Sequence, residues 1–181
     1  MSSFCTIYQA LEYTADEDEI PHWSSEQDAW LGYGYYFWDA SINRAHWWGK
    51  SRYKHNYLIC QSAYDKNFHL FDFFDSNHRQ EFTDTRIVLE KEFARRKTSK
   101  KLILAQDVIT ALKSISDFMD NYFAVRMLAV DCAPITAKII FNTNSPAYFD
   151  EDPPVQLCIW DKRFFKEEVK VVFPDDSEWV F

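Results

Sequence analysis

Tyr36, an aromatic ring standing just behind two glycines and just ahead of a helix, is placed by its neighbours to stack on a ligand. The stretch WLGYGYYFWDASINRAHWWG, Trp30 to Gly49, contains all 3 glycines of the 181 residues: Gly32, Gly34 and Gly49. Glycine is needed where φ is positive or where another group comes close to the backbone. Elsewhere the chain turns on Asn, Asp, Ser and Pro, as in NTNSP, DEDPP and FPDDS, so these glycines answer a local need. Gly32 and Gly34 are read as shaping the floor of a pocket, with Tyr36 as its aromatic wall. An amide donates and accepts hydrogen bonds but carries no charge. In VQLCIWD, Val155, Leu157 and Ile159 share one strand face while Gln156, Cys158 and Trp160 share the other. Gln156 therefore points away from the aliphatic face, as a cleft residue should. Glu151, a short way upstream in a turn, is the nearest source of negative charge.

The elements that must hold these groups are mostly short strands. FCTIYQAL, Phe4 to Leu11, alternates and is rich in β-formers, so it reads as a first strand carrying Gln9. A helix is expected after Asp39 as its cap, with Ile42 and Ala45 on one face and Gly49 at the stop. YLICQSAYD reads as a strand, and FHLFDFFD as an apolar run ending in acid. From Asp107, the residues Ile109, Leu112, Ile115, Met119 and Tyr122 recur at helical spacing and predict one long core-facing helix. AKIIFN, VQLCIWD and EEVKVVF return to strands. Trp47 and Trp48 are expected to pack the helix onto the sheet, Trp38 and His46 to border the cleft, and His55, His69 and His78 to be structural or exposed. The outcome is one α+β domain over residues 1–181, with strands at both ends and helices between.

Composition bounds the function. Hydrophobic residues are 47% and aromatics 18%, with 16 Phe, which excludes global disorder and predicts a ring-filled core. A net charge of −8 opposes non-specific binding to nucleic acid. One basic run, ARRKTSKK, stands out; Arg95, Arg96, Lys97, Lys100 and Lys101 are expected in solvent, as a solvated helix end or a local phosphate or RNA contact. No run of about 18 apolar residues and no signal peptide is visible, so a cytoplasmic protein without a membrane partner is expected. Cys5, Cys60, Cys132 and Cys158 are widely spaced, without a Cys-x-x-Cys pair, and read as free thiols with no metal.

At GYGYYFWD followed by a helix, the sequence resembles the ADP-ribosyltransferase superfamily, in its diphtheria-toxin and poly(ADP-ribose) polymerase branch and small bacterial relatives. Three pieces carry the likeness in order: IYQALEY, GYYFWDASINRA and YFDEDPPVQLCIWD. The middle piece is the close match. The resemblance implies a fold of split antiparallel β-sheets flanked by helices, with NAD as substrate. It places Gln9 where relatives have the ribose-binding His, and Ala10 where a Gly backbone takes the nicotinamide amide. Tyr36 falls on the ring-stacking Tyr, and Gln156 or Glu151 on the late-strand acid. Tyr8, Gly32, Gly34 and Phe37 flank these as NAD-binding positions.

Cleaving the bond between nicotinamide and ribose builds positive charge on the sugar. A site needs a clamp for the amide, a stacking ring and an oxygen at the ribose hydroxyls. Gln9 and Gln156 depart from the pattern: each keeps hydrogen bonds, but Gln156 lacks the charge that favours an oxocarbenium ion. What the resemblance implies is a mono-ADP-ribosyltransferase, a toxin or defence effector modifying a protein or nucleic acid and held by an inhibitory partner if a toxin. Two alternatives stand beside it: a non-catalytic member of the fold that binds a nucleotide or partner, and a small-molecule or RNA-processing enzyme on an unrelated α+β scaffold.

Overall fold

A computed structural model describes residues 4–13, 20–25, 29–54, 56–96, 102–129, 138–140 and 148–174. The first expected strand forms. β1 (Phe4–Glu12) runs antiparallel to β4 (Tyr57–Asp65) along its whole length, from Phe4↔Asp65 to Glu12↔Tyr57. β4 is buried nearly throughout, as its run of aromatic, branched and small residues dictates for a strand covered on both faces.

Around this pair the hydrogen bonds build one eight-stranded sheet. Its other members are β2 (Trp23–Ser24), β3 (Gly34–Asp39), β5 (Leu70–Asp72), β6 (Ala124–Leu128), β9 (Val155–Ile159) and β10 (Lys170–Phe173). The order is β10-β4-β1-β3-β9-β6-β5, with β2 paired to β3. β5 and β6 run parallel, so the sheet is mixed, which corrects the expectation of purely antiparallel sheets. β7 (Lys138–Ile140) and β8 (Tyr148–Asp150) form a separate antiparallel pair. The α+β class holds.

Helices cover one face. α1 (Ile42–Tyr53) lies over β1, β3 and β4. Its cap is Ser41, whose Oγ accepts from the Arg44 backbone at 3.1 Å, because β3 continues through Asp39. Gly49 does not end this helix; it sits inside it. A Cβ there would come within 2.3 Å of the Tyr57 ring, so the glycine lets α1 press against β4. α3 (Ala105–Lys113) inserts Val108, Ile109 and Leu112 against Phe71, Val125 and Cys158. The long helix expected from Asp107 stops at Ser114; a one-turn α4 (Phe118–Asn121) follows, and Ile115 is left 49% exposed. Short polar residues at 114, 116 and 117 favour turns over helix and outweigh the apolar spacing.

The longest helix has no counterpart in the sequence reading. α2 (Ser76–Arg95) buries no residue fully and leans Phe82 and Leu89 on the α3 cluster. Its start is marked by Asp75, which accepts from the Asn77 backbone at 2.7 Å. Arg95 and Arg96 are exposed and both pair with Glu92; Lys97, Lys100 and Lys101 lie outside the described residues. So do His55 and Cys132. No helix among the described residues is long and apolar enough to cross a membrane.

The opposite face is closed by residues 161–169, where Phe164 and Phe165 meet Ile7, Phe37 and Leu157. On this face an ion cluster joins four strands. Arg126 of β6 donates to Asp39 Oδ2 of β3, from Nε at 2.8 Å and Nη2 at 2.7 Å, and reaches Asp72 of β5 at 3.2 Å. Tyr64 of β4 donates to Asp39 Oδ1 at 3.0 Å. Burial is the largest single influence and pulls the guanidinium toward neutrality, but Asp39, Tyr64 and Asp72 together outweigh it and hold the group above its ordinary value. Burial and the Asp39 charge both push the Tyr64 hydroxyl up, so it remains a donor.

Candidate functional site

β1 and β3 pair at Ile7↔Asp39 and Tyr8↔Trp38, and then they part. The lower half of β3 takes β2 as its neighbour, through Trp23↔Tyr35 and Ser24↔Gly34. Gln9 bridges the opening. Its Nε2 donates to the His22 carbonyl at 2.9 Å, and its Oε1 accepts from the His22 backbone at 3.0 Å. The side-chain amide thus behaves as a peptide group in a ladder and ties the β2 segment to β1.

Where the strands part, a cavity of about 210 Å³ opens. Its β1 wall is Gln9, Ala10 and Leu11; Tyr36, Trp38 and Gln156 come from β3 and β9; Trp48, Arg52 and Tyr53 come from α1. The turn at Ala29 and Trp30 and the strand edge at His22 and Ser24 complete it. Sites for drug-sized ligands run to roughly 300–1,000 Å³, so this cavity holds one ring system, with any larger remainder outside.

Tyr36 is half-buried and tightly held. Its hydroxyl donates to the Gly32 carbonyl at 2.7 Å and accepts from the Leu31 backbone at 2.9 Å. Gly32, at φ 87, makes that turn possible. It positions Tyr36 without lining the cavity. Gly34 packs rather than opening a path: a Cβ there would lie 2.7 Å from Cys158 Sγ and from the Ile159 carbonyl oxygen.

Gln156 is 8% exposed and pairs in register with Trp38. Its Oε1 accepts from Trp30 Nε1 at 2.9 Å. An indole N–H is a donor only, so the amide oxygen must face Trp30 and the NH₂ group is turned the other way. Among the described residues Gln156 Nε2 has no hydrogen-bond partner, and the residue lines the cavity.

The electrostatics follow from what lines the wall. Among the described residues lining the cavity there is no carboxylate, and Arg52 is the fixed cation. Glu151 is exposed, in a turn outside the cavity. Its neighbours explain this. Buried Arg44 of α1 faces Asp152 at 3.4 Å and Asp150 at 3.9 Å and donates to the Asp152 carbonyl, which holds the turn against α1. Beneath the cavity, burial pushes the Cys158 thiol up to about 11, only partly offset by the charge of Lys113. Lys113 itself lies over the Trp160 ring at 4.1 Å, and burial lowers its amine below the ordinary value.

Of the positions expected at a site, Gln9, Ala10, Tyr36 and Gln156 are brought together on this cavity, with Trp38. Phe37 is not; it is fully buried in the core on the other face of β3. Tyr8 packs with Trp38 and Ala10 under α1. His46 lies away from the cavity, bonded through Nδ1 to the Tyr57 hydroxyl at 3.0 Å. Trp47 packs edge-on against Trp38 as expected, whereas Trp48 lines the cavity and is 38% exposed. Trp30, Arg52 and Tyr53 were not foreseen. Trp48 and Arg52, four apart on one helix, share a face, and that spacing was the available signal. No group of three or more metal-ligating side chains occurs among the described residues.

No protein-family model, curated protein or solved structure matches the chain.

Proposed function

We propose that this protein is a nucleotide-binding module on an ADP-ribosyltransferase-like scaffold, taking the nicotinamide end of NAD without cleaving it. One observation carries the reading. Gln9 and Ala10 of β1, Tyr36 of β3 and Gln156 of β9 line one ring-sized cavity, and no described lining residue is a carboxylate. The parting of β1 from β3 beyond Tyr8 opens the cleft in which these side chains meet. In this reading the ring lies against Tyr36, and the ribose and phosphates extend toward Arg52 at the α1 wall.

The same wall argues against turnover. An oxocarbenium-like sugar needs negative charge beside it, and Gln156 turns N–H groups inward instead. Loss of one well-placed electrostatic stabiliser costs roughly 3–4 kcal/mol, about a hundred- to a thousand-fold in rate. Gln9 is also committed, since both ends of its amide bond His22. Free buried thiols at Cys60 and Cys158 accord with a reducing, cytoplasmic location, which is part of this proposal.

Calorimetric titration with NAD, with nicotinamide release followed by chromatography, tests it. Binding without release is expected. Binding with release makes the protein a transferase or hydrolase and revives the toxin and defence-effector readings with a macromolecular acceptor. Absence of binding removes the NAD reading altogether.

A further inference from the structure

The gap left where β1 and β3 part is crossed by residues 22–25. Both ends of this segment are rooted. Ile20 packs into the core beside Phe164 and Pro21 is buried, and the chain returns at buried Ala29 and Leu31. Between those anchors His22, Trp23 and Ser25 are exposed, while His22 and Ser24 border the cavity. The segment therefore stands at the cavity rim with one side in water. Toward β3 it is held by two residue pairs, Trp23↔Tyr35 and Ser24↔Gly34, with the Trp23 ring edge-on to Tyr35 at 4.9 Å. Toward β1 it is held by the Gln9 amide, whose two bonds both go to the His22 main chain. Those two bonds break together or not at all.

We infer that residues 22–25 are a strap that lifts to admit a ligand to the cavity, and that Gln9 is the latch that holds it shut. A short strand with exposed side chains opens at a lower free energy than the core it lies on. The latch stays aimed when the strap lifts, because Gln9 is 6% exposed and its Oε1 also accepts from Cys60 Sγ at 3.8 Å. The cavity is present with the strap down, so the strap closes again over a ring-sized ligand. Entry and exit then both wait for the latch. Association runs at the docking rate multiplied by the fraction of molecules with the strap lifted. Gln9 is thus a positioning residue that acts on the ligand through His22.

Two measurements test this, and the first needs no ligand. Amide hydrogen exchange is followed on the wild type in dilute guanidinium. His22 should exchange by local opening, at a rate that denaturant does not change. Ile59 and Cys60 of β4 should accelerate with denaturant, because they wait for unfolding. The second is the association of NAD by stopped flow, read from tryptophan fluorescence, since Trp30, Trp38 and Trp48 line the cavity. This arm rests on the reading that the cavity takes NAD. Gln9→Ala should bind and release NAD about tenfold faster than the wild type, with little change in Kd. Trp23→Cys with Tyr35→Cys, neither of which lines the cavity, places two thiols on directly opposed residues within disulfide reach. Oxidised, this pair should slow association by about tenfold or more, and reduction should restore it.

The outcomes separate the two readings. Exchange at His22 that tracks β4 at every denaturant concentration overturns the strap. So does equal association by the oxidised and reduced cysteine pair. Faster release from Gln9→Ala with unchanged association would make Gln9 a direct ligand contact and also overturns it, leaving the module reading standing. No NAD binding removes the module reading, and hydrogen exchange then decides the strap alone. Should the cysteine pair fail to fold, Gln9→Ala and the exchange rates still decide.

Discussion

Trp30 and Gln156 stand 126 residues apart in the chain and 2.9 Å apart across one hydrogen bond. That bond joins the turn ahead of β3 to the late strand β9, and it turns an amide donor into the cavity. In the proposed reading, the charge at this place sets whether NAD is bound or cleaved.

Gln156→Glu should therefore raise NAD hydrolysis above the wild-type background. The new carboxylate faces the sugar, and a gain of about a hundredfold over the wild-type background is expected. Glu151→Gln should change neither NAD affinity nor release, because Glu151 is exposed and lies outside the cavity. Nicotinamide release from the three proteins checks this. Damage from Glu151→Gln would show that its turn reaches the ligand.

Gln9 is predicted to act through structure. Gln9→Ala removes two bonds to the His22 main chain and should cost about 2 kcal/mol in denaturant unfolding. Gln9→Glu keeps the acceptor for the His22 N–H but loses the donor to its carbonyl, so it should not restore stability. Hydrogen exchange at His22 should accelerate in both variants. Full stability in Gln9→Ala would mean that β2 is held by β3 alone.

Arg126→Met should be among the most damaging single changes, by roughly 3–5 kcal/mol, because it leaves Asp39 buried without its cation. The double variant Arg126→Met, Asp39→Asn should recover part of that loss. Paired urea titrations measure the coupling; additive losses would mean the pair does not interact.

Alkaline stability should be governed in part by Cys60. Burial pushes its thiol from the ordinary value of 9.0 up to about 12. Between those values the unfolded chain loses the proton and the folded chain keeps it. Stability is therefore complete below about pH 9 and falls as pH rises toward 12. By about pH 10.5 the loss should be of the order of 2 kcal/mol. Cys60→Val should flatten this limb relative to the wild type in melting curves taken from neutral to alkaline pH. A thiol reagent at neutral pH should react with Cys60 and Cys158 only after unfolding, since both are buried.

Sequence alone determined the α+β class, the start of β1, both edges of β4, and four of the positions that meet at the cavity. These are local properties. Alternation places Gln156 on the face opposite Leu157, and no distant residue changes that parity. The glycines were legible as special, though not for the same reason: Gly32 serves a turn, while Gly34 and Gly49 are demanded by Ile159 and Tyr57, neighbours that exist only after folding. α2 escaped notice because a helix with no fully buried residue leaves little apolar period to read.

What tertiary structure decided was the polarity of the site. An amide is symmetric to the sequence, able to donate or accept at either end. A donor-only indole brought from Trp30 to Oε1 gives Gln156 a direction, and Arg44, donating to the Asp152 carbonyl, holds the turn that carries Glu151 against α1.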